Sequence, residues 1–577
     1  MAFADSQAAL SHTPIVLVKM TLDLCDRIFG TSPCLATGTK CYNTRQTCKY
    51  TTAFLNTAGK VYKFTSADAP APFHAGERPY VLGVSNLPTE INDERTVAGR
   101  VTIEFADEPD DDVLIDPYLS SRSSVQGTFW KKLLARNPNF KGRLVEIWEG
   151  YAGLAEVDYV QRFKGKIQDI SLGKGTVSME IGDSIVDLSA KFIPAKVDIK
   201  LRLAATISQD FLDLDSVAAI PPAPNWVCVD KEIIGYTAIN TAGTQLTGCI
   251  RGQGGTVAAT HSAGGKVGLV RYFAPDRATD QIGYILGLDL HLFPLSDFSI
   301  GLFTLWNQPD LHLPNTEAWI TKPTKASDLI FELLELADAY MWVGEGLKLT
   351  FARRTGNGGG RTYYTLTDAQ SIISGSTSAE LDDTARITRV VLYWDKNPVA
   401  TEDEDVAEYS RLDIAVDLDL EGASWYNEQK PRTIFSRWIR STAQTDVDAY
   451  ALLVRNMCLR ILSRQKAARE VLTLEVTKKD SGLLTGDFAK ISTDELLDIN
   501  GNSLSSSRFQ VMKREDLGDT VRLVVKGLSK KKLCIIGSGS LPDYTAANAD
   551  QREYGYISSG PPAEGQMSNA DDGYYIA

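Results

Sequence analysis

Runs of apolar and polar residues that alternate with a period of two recur along the chain and restrict its fold more than any other feature. "GRVTIEF" sets Val101, Ile103 and Phe105 on one face, and "GTVSMEI" does the same with Val177, Met179 and Ile181. "REVLTLEV" separates Leu472, Leu474 and Val476 from Val471, Thr473 and Glu475, and "RFQVMKRE" followed by "GDTVRLVVKGL" reads as a hairpin turned at Leu517-Gly518-Asp519. Strand side chains point to alternate faces, so each run predicts a half-buried strand. Helical spacing interrupts this pattern three times. "GTFWKKLLARNP" is short. A second helix starts from an N-cap at Ser327 and carries Leu329, Ile330, Leu333, Leu334 and Ala337 along one stripe. A third, from Asp446 to Lys466, carries Ala449, Leu452, Leu453, Cys458, Leu459 and Leu462. All three stripes read as core.

Single cores rarely grow past roughly 250–300 residues, so 577 residues predict several domains. "AAIPPAPNWV" reads as a linker into a small β unit that ends near Val270, and "RRTGNGGGRTYY" as a glycine-rich loop between strands. "DEPDDD" (Asp107 to Asp112) and "VATEDEDVAEY" read as acidic, solvated loops. Past Leu528, Gly, Ser, Asp, Ala and Tyr dominate without apolar periodicity, which predicts an extended tail that orders against a partner. A net charge of -13 and a pI near 5.1 argue against a general nucleic-acid binder. No run approaches the roughly 18 apolar residues of a membrane span. The first twenty residues lack the basic and apolar regions of a secretory signal, which predicts synthesis in a reducing cytoplasm.

Four of the eight cysteines, Cys25, Cys34, Cys41 and Cys48, stand together in "CDRIFGTSPCLATGTKCYNTRQTC" with the spacing C-x8-C-x6-C-x6-C. Structural zinc sites favour close C-x2–4-C pairs, and none is present. Disulfides suit an oxidising compartment, which the chain's start does not suggest. An iron–sulfur cluster takes four thiolates and tolerates longer loops. Gly30, Gly38 and Pro33 let the chain wrap a compact object, while Arg27, Lys40, Arg45 and Lys49 offset thiolate charge. A cluster fits best, with zinc, disulfides and four unmodified buried thiols left open. It reads as a structural staple, since metal binding contributes to folding. Cys228, Cys249, Cys458 and Cys534 stand singly in apolar settings and read as small buried hydrophobes.

Catalytic patterns are missing. The five histidines (His12, His74, His261, His291 and His312) make no HExxH, no G-x-S-x-G elbow occurs, and "RTGNGGGRT" lacks the ending of a phosphate loop. The chain reads as a non-enzyme.

One stretch carries a resemblance. "DKEIIGYTAINTAGTQLTGCIRGQGGTVAATHSAGGKVGLV" is similar to a motif of baseplate hub, or tail-tip, proteins of long-tailed (siphovirus-like) phages and gene transfer agents. Glu232, Tyr236, Arg251, Gly252, Gln253, Gly255, Thr256, His261, Gly264 and Val267 occupy the matching positions. "YVQRFKGKIQDI" resembles a strand of the hub's early barrel, "LTLEVTKKDSGLLTGDFAKI" one of its late barrel, and the cysteine block the iron–sulfur segment of tail-tip proteins. The resemblance implies a mainly β, multidomain fold with α+β elements. Two β-barrel-like hub domains are expected at 1–200 (cysteine segment 20–60) and 401–530, with a small β insertion at 201–275 and an α+β domain at 276–400. An extended tail at 531–577 would contact a partner. It further implies a homotrimer that closes the tail tube and joins the distal tail protein ring to a central fibre or spike, beside a tape measure protein, with DNA passing the lumen unbound and no membrane insertion. Cys25, Cys34, Cys41 and Cys48 would bind the cluster, as [4Fe-4S], with zinc as the alternative ion. Glu232, Arg251 and His261 are expected to form a fold-maintaining salt bridge and turn. The competing readings are a receptor-binding adhesin, a tail-associated cell-wall hydrolase and, on the cysteines alone, a redox enzyme.

Overall fold

Each alternating run becomes a strand in the computed structural model, and its apolar face is the buried one. The structure describes residues 13–527 except 91–98, 291–313, 354–362 and shorter interruptions of six residues or fewer, together with two short strands at 556–557 and 574–575. The glycine-rich loop, Cys534 and nearly all of the tail lie outside the described residues.

Seven strands close the first barrel: β1 (Pro14–Leu22), β2 (Lys60–Ser66), β3 (Glu77–Val84), β4 (Arg100–Ala106), β5 (Leu144–Tyr151), β6 (Val160–Leu172) and β7 (Thr176–Gly182), in the order β1-β2-β3-β4-β7-β6-β5. Val101, Ile103, Phe105, Val177, Met179 and Ile181 all point inward and are at most 1% exposed. Helix α1 (Phe129–Arg136) packs Phe129 and Trp130 into that interior, where Trp130 stacks on Phe64 at 5.1 Å. The interior is therefore packed with side chains and is no channel. Gly165 of β6 has a local reason to be glycine: a Cβ there would stand 2.4 Å from the carbonyl oxygen of Gly182 on β7.

A five-stranded sheet follows, of β8 (Ile199–Lys200), β9 (Asn225–Val229), β10 (Glu232–Tyr236), β11 (Ile250–Gln253) and β12 (Lys266–Leu269), ordered β8-β12-β9-β10-β11. Strand β8 precedes "AAIPPAPNWV", so that segment is a loop within the unit and not a linker into it. Ile220 is buried there, and the Pro221 carbonyl accepts a hydrogen bond from the Tyr236 hydroxyl at 2.7 Å.

Next, β13 (Arg271–Asp276) pairs with β14 (Thr316–Ile320), and helices α2 (Ala278–Tyr284) and α3 (Ala326–Leu336) share the largest core. Helix α2 escaped the periodicity reading because its seven residues are too few to show a stripe. Helix α3 begins one residue before Ser327, which lies inside the first turn and caps nothing; Lys325 holds the N-cap position. Strands β15 (Tyr363–Thr367) and β16 (Ser378–Asp382) belong to the last sheet, and β17 (Arg389–Lys396), β18 (Tyr409–Val416) and β19 (Pro431–Phe435) form a separate one ordered β18-β17-β19. Helix α4 (Val447–Gln465) packs on it, with Asp446 accepting from the amides of Asp448 and Ala449 as N-cap. Leu452 and Leu459 of α4 are 59% and 44% exposed, so its core face is narrower than its apolar content suggests and runs through Tyr450, Val454, Met457, Cys458 and Ile461.

The last sheet adds β20 (Arg469–Thr477), β21 (Phe488–Leu497), β22 (Ser503–Asp516) and β23 (Thr520–Gly527) in the order β15-β21-β22-β23-β20-β16. Leu472, Leu474 and Val476 are fully buried, as the alternation requires, and the backbone amide of Leu517 closes the hairpin on Thr520. The short strand Thr89–Glu90, which follows β3 of the first barrel, pairs with Lys513 and Arg514 of β22. The fold is mainly β, with a closed barrel and several sheets.

Candidate functional site

The "RGQGGT" stretch and the cysteine stretch both resolve into dense polar structures, of opposite kinds. In the first, Glu232 is fully buried on β10 and every polar neighbour points at it. Arg251 donates Nε to Oε1 and Nη2 to Oε2, each at 2.8 Å; the amides of Gly252 and Ala259 donate at 2.9 and 3.0 Å; His261 Nε2 lies 2.8 Å from Oε2. The other ring nitrogen of His261 lies 2.7 Å from Asp230. Burial pushes the Glu232 carboxyl up, but the bonds from Arg251, Ala259, His261 and Gly252 outweigh it and bring the pKa down to about 2. Thr256 Oγ1 accepts from the Ile233 amide at 3.0 Å and donates to the Gln253 carbonyl at 2.7 Å. Gly252 and Gly254 take φ of +63° and +64°, and a Cβ on Gly254 would press on Ile233 and Trp319 at 3.0–3.2 Å. Glu232, Arg251 and His261 therefore close a knot, as expected from sequence. Asp230, its fourth member, gave no signal, since its place depends on a positive φ of 51°.

The cysteine loop joins β1 to β2 and has almost no regular structure beyond a 3-10 turn at Thr51–Ala53. Tertiary straps hold it instead. Arg122 donates Nη1 to the Lys40 carbonyl (2.8 Å) and Nη2 to the Cys41 carbonyl (2.9 Å), and its Nε and Nη2 grip buried Asp116 at 2.6 and 2.7 Å. The guanidiniums of Arg122 and Arg136 each lie 4.0 Å from the Tyr42 ring centre. Thr44 Oγ1 donates to the Arg136 carbonyl at 2.6 Å, and the Tyr118 hydroxyl accepts from the Phe29 amide at 2.9 Å. Inside the loop, Asn43, at φ 57°, accepts the Cys25 amide on its carbonyl (2.7 Å) and donates its own side-chain amide to the Cys25 carbonyl (3.0 Å).

Asp107, Asp110 and Asp112 reverse the expectation of a solvated acidic loop. Asp112 is fully buried, with Lys132 Nζ at 3.0 Å and Arg136 Nη1 at 3.2 Å on Oδ1, and Oδ2 accepts the Val125 amide at 2.8 Å. The Asp107 carboxylate accepts from Thr128 and from the Trp130 amide, and Arg78 lies 3.5 Å from Asp110. The run thus anchors α1, and through Arg136 it anchors the cysteine loop. The sequence pattern gave no hint because the cations come from other segments. "VATEDEDVAEY" is mostly exposed, as expected, although Asp403 pairs with Arg437 at 3.0 Å.

Cys34 and Cys41 are buried, Cys25 and Cys48 are half-buried, and all four are free thiols. Burial pushes the Cys41 thiol up, against the Asn43 backbone bond, and charge on Cys48, Cys34 and Cys25 pushes it the same way. Among the described residues no group of three or more His, Cys, Asp or Glu side chains is arranged to hold a metal ion. Bonds of 2.3 Å to one zinc would put sulfurs about 3.8 Å apart, whereas a cluster with its own bridging sulfides spreads its cysteines over a larger body. Cys25, Cys34, Cys41 and Cys48 lie on one strapped loop, with Arg122 on the Cys41 carbonyl and the buried Arg27 Nε without a hydrogen-bond partner among the described residues; they are the donors a cluster would use, although as they stand they form no metal-holding group. Cys249 and Cys458 are buried as expected, and burial pushes their thiols up to about 11 and about 12. Cys228 is half-buried.

No protein-family model matches the chain, and no curated protein matches it in sequence. Among solved structures, the 43 kDa tail protein of prophage MuSo2 from Shewanella oneidensis aligns over 89% of this chain and 98% of its own, with 10% identity and a TM-score of 0.39. Prophage tail protein gp18 from Listeria monocytogenes EGD-e aligns over 76% and 89%, with 8% identity and a TM-score of 0.33. A chain of the native gene transfer agent virion aligns over 43% and 46%, with 12% identity and a TM-score of 0.25. Likeness of this degree leaves the functional reading to the residues themselves.

Proposed function

We propose that the chain is a structural, non-catalytic hub of a phage-type tail tip, working as a trimer that closes the tube and carries a fibre or spike. The observation behind this reading is that Arg251, Gly252 and His261, which carry the sequence resemblance, all bond to Glu232 inside the fold, while Thr256 of the same motif ties Ile233 to Gln253 beside them. A carboxylate held at a pKa of about 2 by four donors is a poor base and a good keystone. Because the first barrel is packed solid, any lumen for DNA has to lie between copies of the chain, as in a ring with cyclic symmetry. The strand Thr89–Glu90 on β22 supports a chain in which the early barrel and the late sheet stand side by side in that ring.

In the same reading Cys25, Cys34, Cys41 and Cys48 hold one iron–sulfur cluster, [4Fe-4S] in type. When bound, the cluster supplies four metal–thiolate bonds that cross-link a loop without a core of its own. Arg122 and Arg136 position that loop on α1 and the barrel. The distal tail ring, the fibre and the tape measure protein are the partners this role requires, and the tail after Leu528 is the segment proposed to meet one of them. Solution mass and electron microscopy of the full chain test the hub: three copies in a threefold ring, alone or with a distal tail ring, are expected. A monomer in both conditions overturns it, and digestion of purified peptidoglycan would favour the hydrolase instead.

A further inference from the structure

In the same small unit as Glu232, the strands Phe211–Asp213, Gln245–Thr247 and Ala238–Asn240 form a three-stranded sheet with Gln245–Thr247 in the middle. Alternation divides its two faces. Leu212 and Leu246 face the core and are fully buried, whereas Phe211, opposite Thr247 in register, turns outward and is 37% exposed. A shallow depression of about 200 Å³ opens there, lined by Asp210, Phe211, Gln245, Thr247 and Gly248. The backbone beneath it is fixed. The Asp210 carbonyl accepts the Cys249 amide at 2.7 Å, and Gly248 holds φ +61° where a Cβ would strike Thr237 Oγ1 at 2.0 Å. Gln245 is oriented as well: its Nε2 donates at 3.0 Å to the buried carboxylate of Asp213, whose other oxygen takes Arg202 Nε. The exposed carboxylate of Asp210 takes no hydrogen bond and no ion pair among the described residues.

This lining selects a ligand by chemistry. No Lys or Arg is among the lining residues, so the Asp210 charge repels an anion. A wholly apolar ligand would strip water from Asp210 without replacing its hydrogen bonds. A calcium or magnesium ion would find one free carboxylate where it needs about six oxygens. A pyranose ring matches: its C–H face packs on the electron-rich face of the phenyl ring, and its hydroxyls donate to Asp210 and exchange hydrogen bonds with Gln245 and Thr247. We propose that this depression binds one neutral pyranose unit of a glycan, with Phe211 as the stacking platform and Asp210 as the hydroxyl acceptor. The site stands on this geometry and does not depend on the hub reading. Saturation-transfer nuclear magnetic resonance on the full chain tests it, with maltose, cellobiose, lactose and N,N'-diacetylchitobiose each supplied at millimolar concentration. At least one of them should receive saturation, strongest on the C–H protons of a single ring. Phe211→Ala should abolish that transfer while far-ultraviolet circular dichroism stays unchanged. Should that variant fail to fold, Asp210→Asn, an exposed change, should raise the dissociation constant for the same sugar about tenfold. No transfer to any of the four sugars, equal transfer in Phe211→Ala, or an unchanged dissociation constant in Asp210→Asn overturns the proposal.

Discussion

The Glu232 unit, built on strands β10 and β11, and the cysteine loop, almost without regular structure, are both rich in polar residues, yet they use their side chains in opposite ways. Around Glu232 each charged group meets another from the same unit, so nothing remains for a ligand. In the cysteine loop the straps from Arg122, Thr44 and Asn43 fix the backbone, while the four cysteines on it stay free thiols. A saturated knot marks structure, whereas four free thiols on a strapped loop are the set we propose as a site.

The contrast breaks most visibly at Glu232. Glu232→Gln leaves Arg251 buried against a neutral amide and should cost about 3–5 kcal/mol, read from urea unfolding by the fluorescence of nearby Trp226, with iron content unchanged. A cost under about 1 kcal/mol would mean that the knot is not a keystone. Acid sharpens the same point with a graded effect. The Glu232 pKa is depressed from 4.5 to about 2, so its contribution is complete above pH 4.5 and is lost as pH falls toward 2. The burial-opposed lowering at Asp112 adds a loss of the same sign at the barrel end. In Glu232→Gln the Trp226 signal should lose this acid dependence.

On the other side, Arg122→Ala removes the strap and leaves Asp116 buried without its partner. About 2–3 kcal/mol is expected for the loop's attachment, with iron per chain falling while far-ultraviolet circular dichroism holds the β signature. Full iron retention would show that the strap does not mount the site. Gly165→Ala should act on the barrel alone, lowering stability by about 1–3 kcal/mol in thermal melting because the carbonyl it meets is backbone and cannot rotate away.

Much of the fold was legible because strand alternation is local: Val101, Ile103, Phe105, Leu472 and Leu474 declare their faces within seven residues. Asp112 was not legible, since Lys132 and Arg136 reach it from a helix about twenty residues on. Leu452 and Leu459 misled because an apolar residue on a helix does not state which face its neighbours cover. The site was half legible. Clustering singled out the four cysteines, but the mounting by Arg122, Asp116 and Tyr42 depends on a chain return from residues 116–136 that no spacing reveals.

The most direct test is iron and acid-labile sulfide analysis of the full chain purified without oxygen, beside Cys34→Ser. The wild-type chain should be brown, with about four irons and about four sulfides per chain, and Cys34→Ser should be colourless and less stable. A colourless wild-type chain, one zinc without sulfide, or a Cys34→Ser variant with full colour and stability would contradict the account.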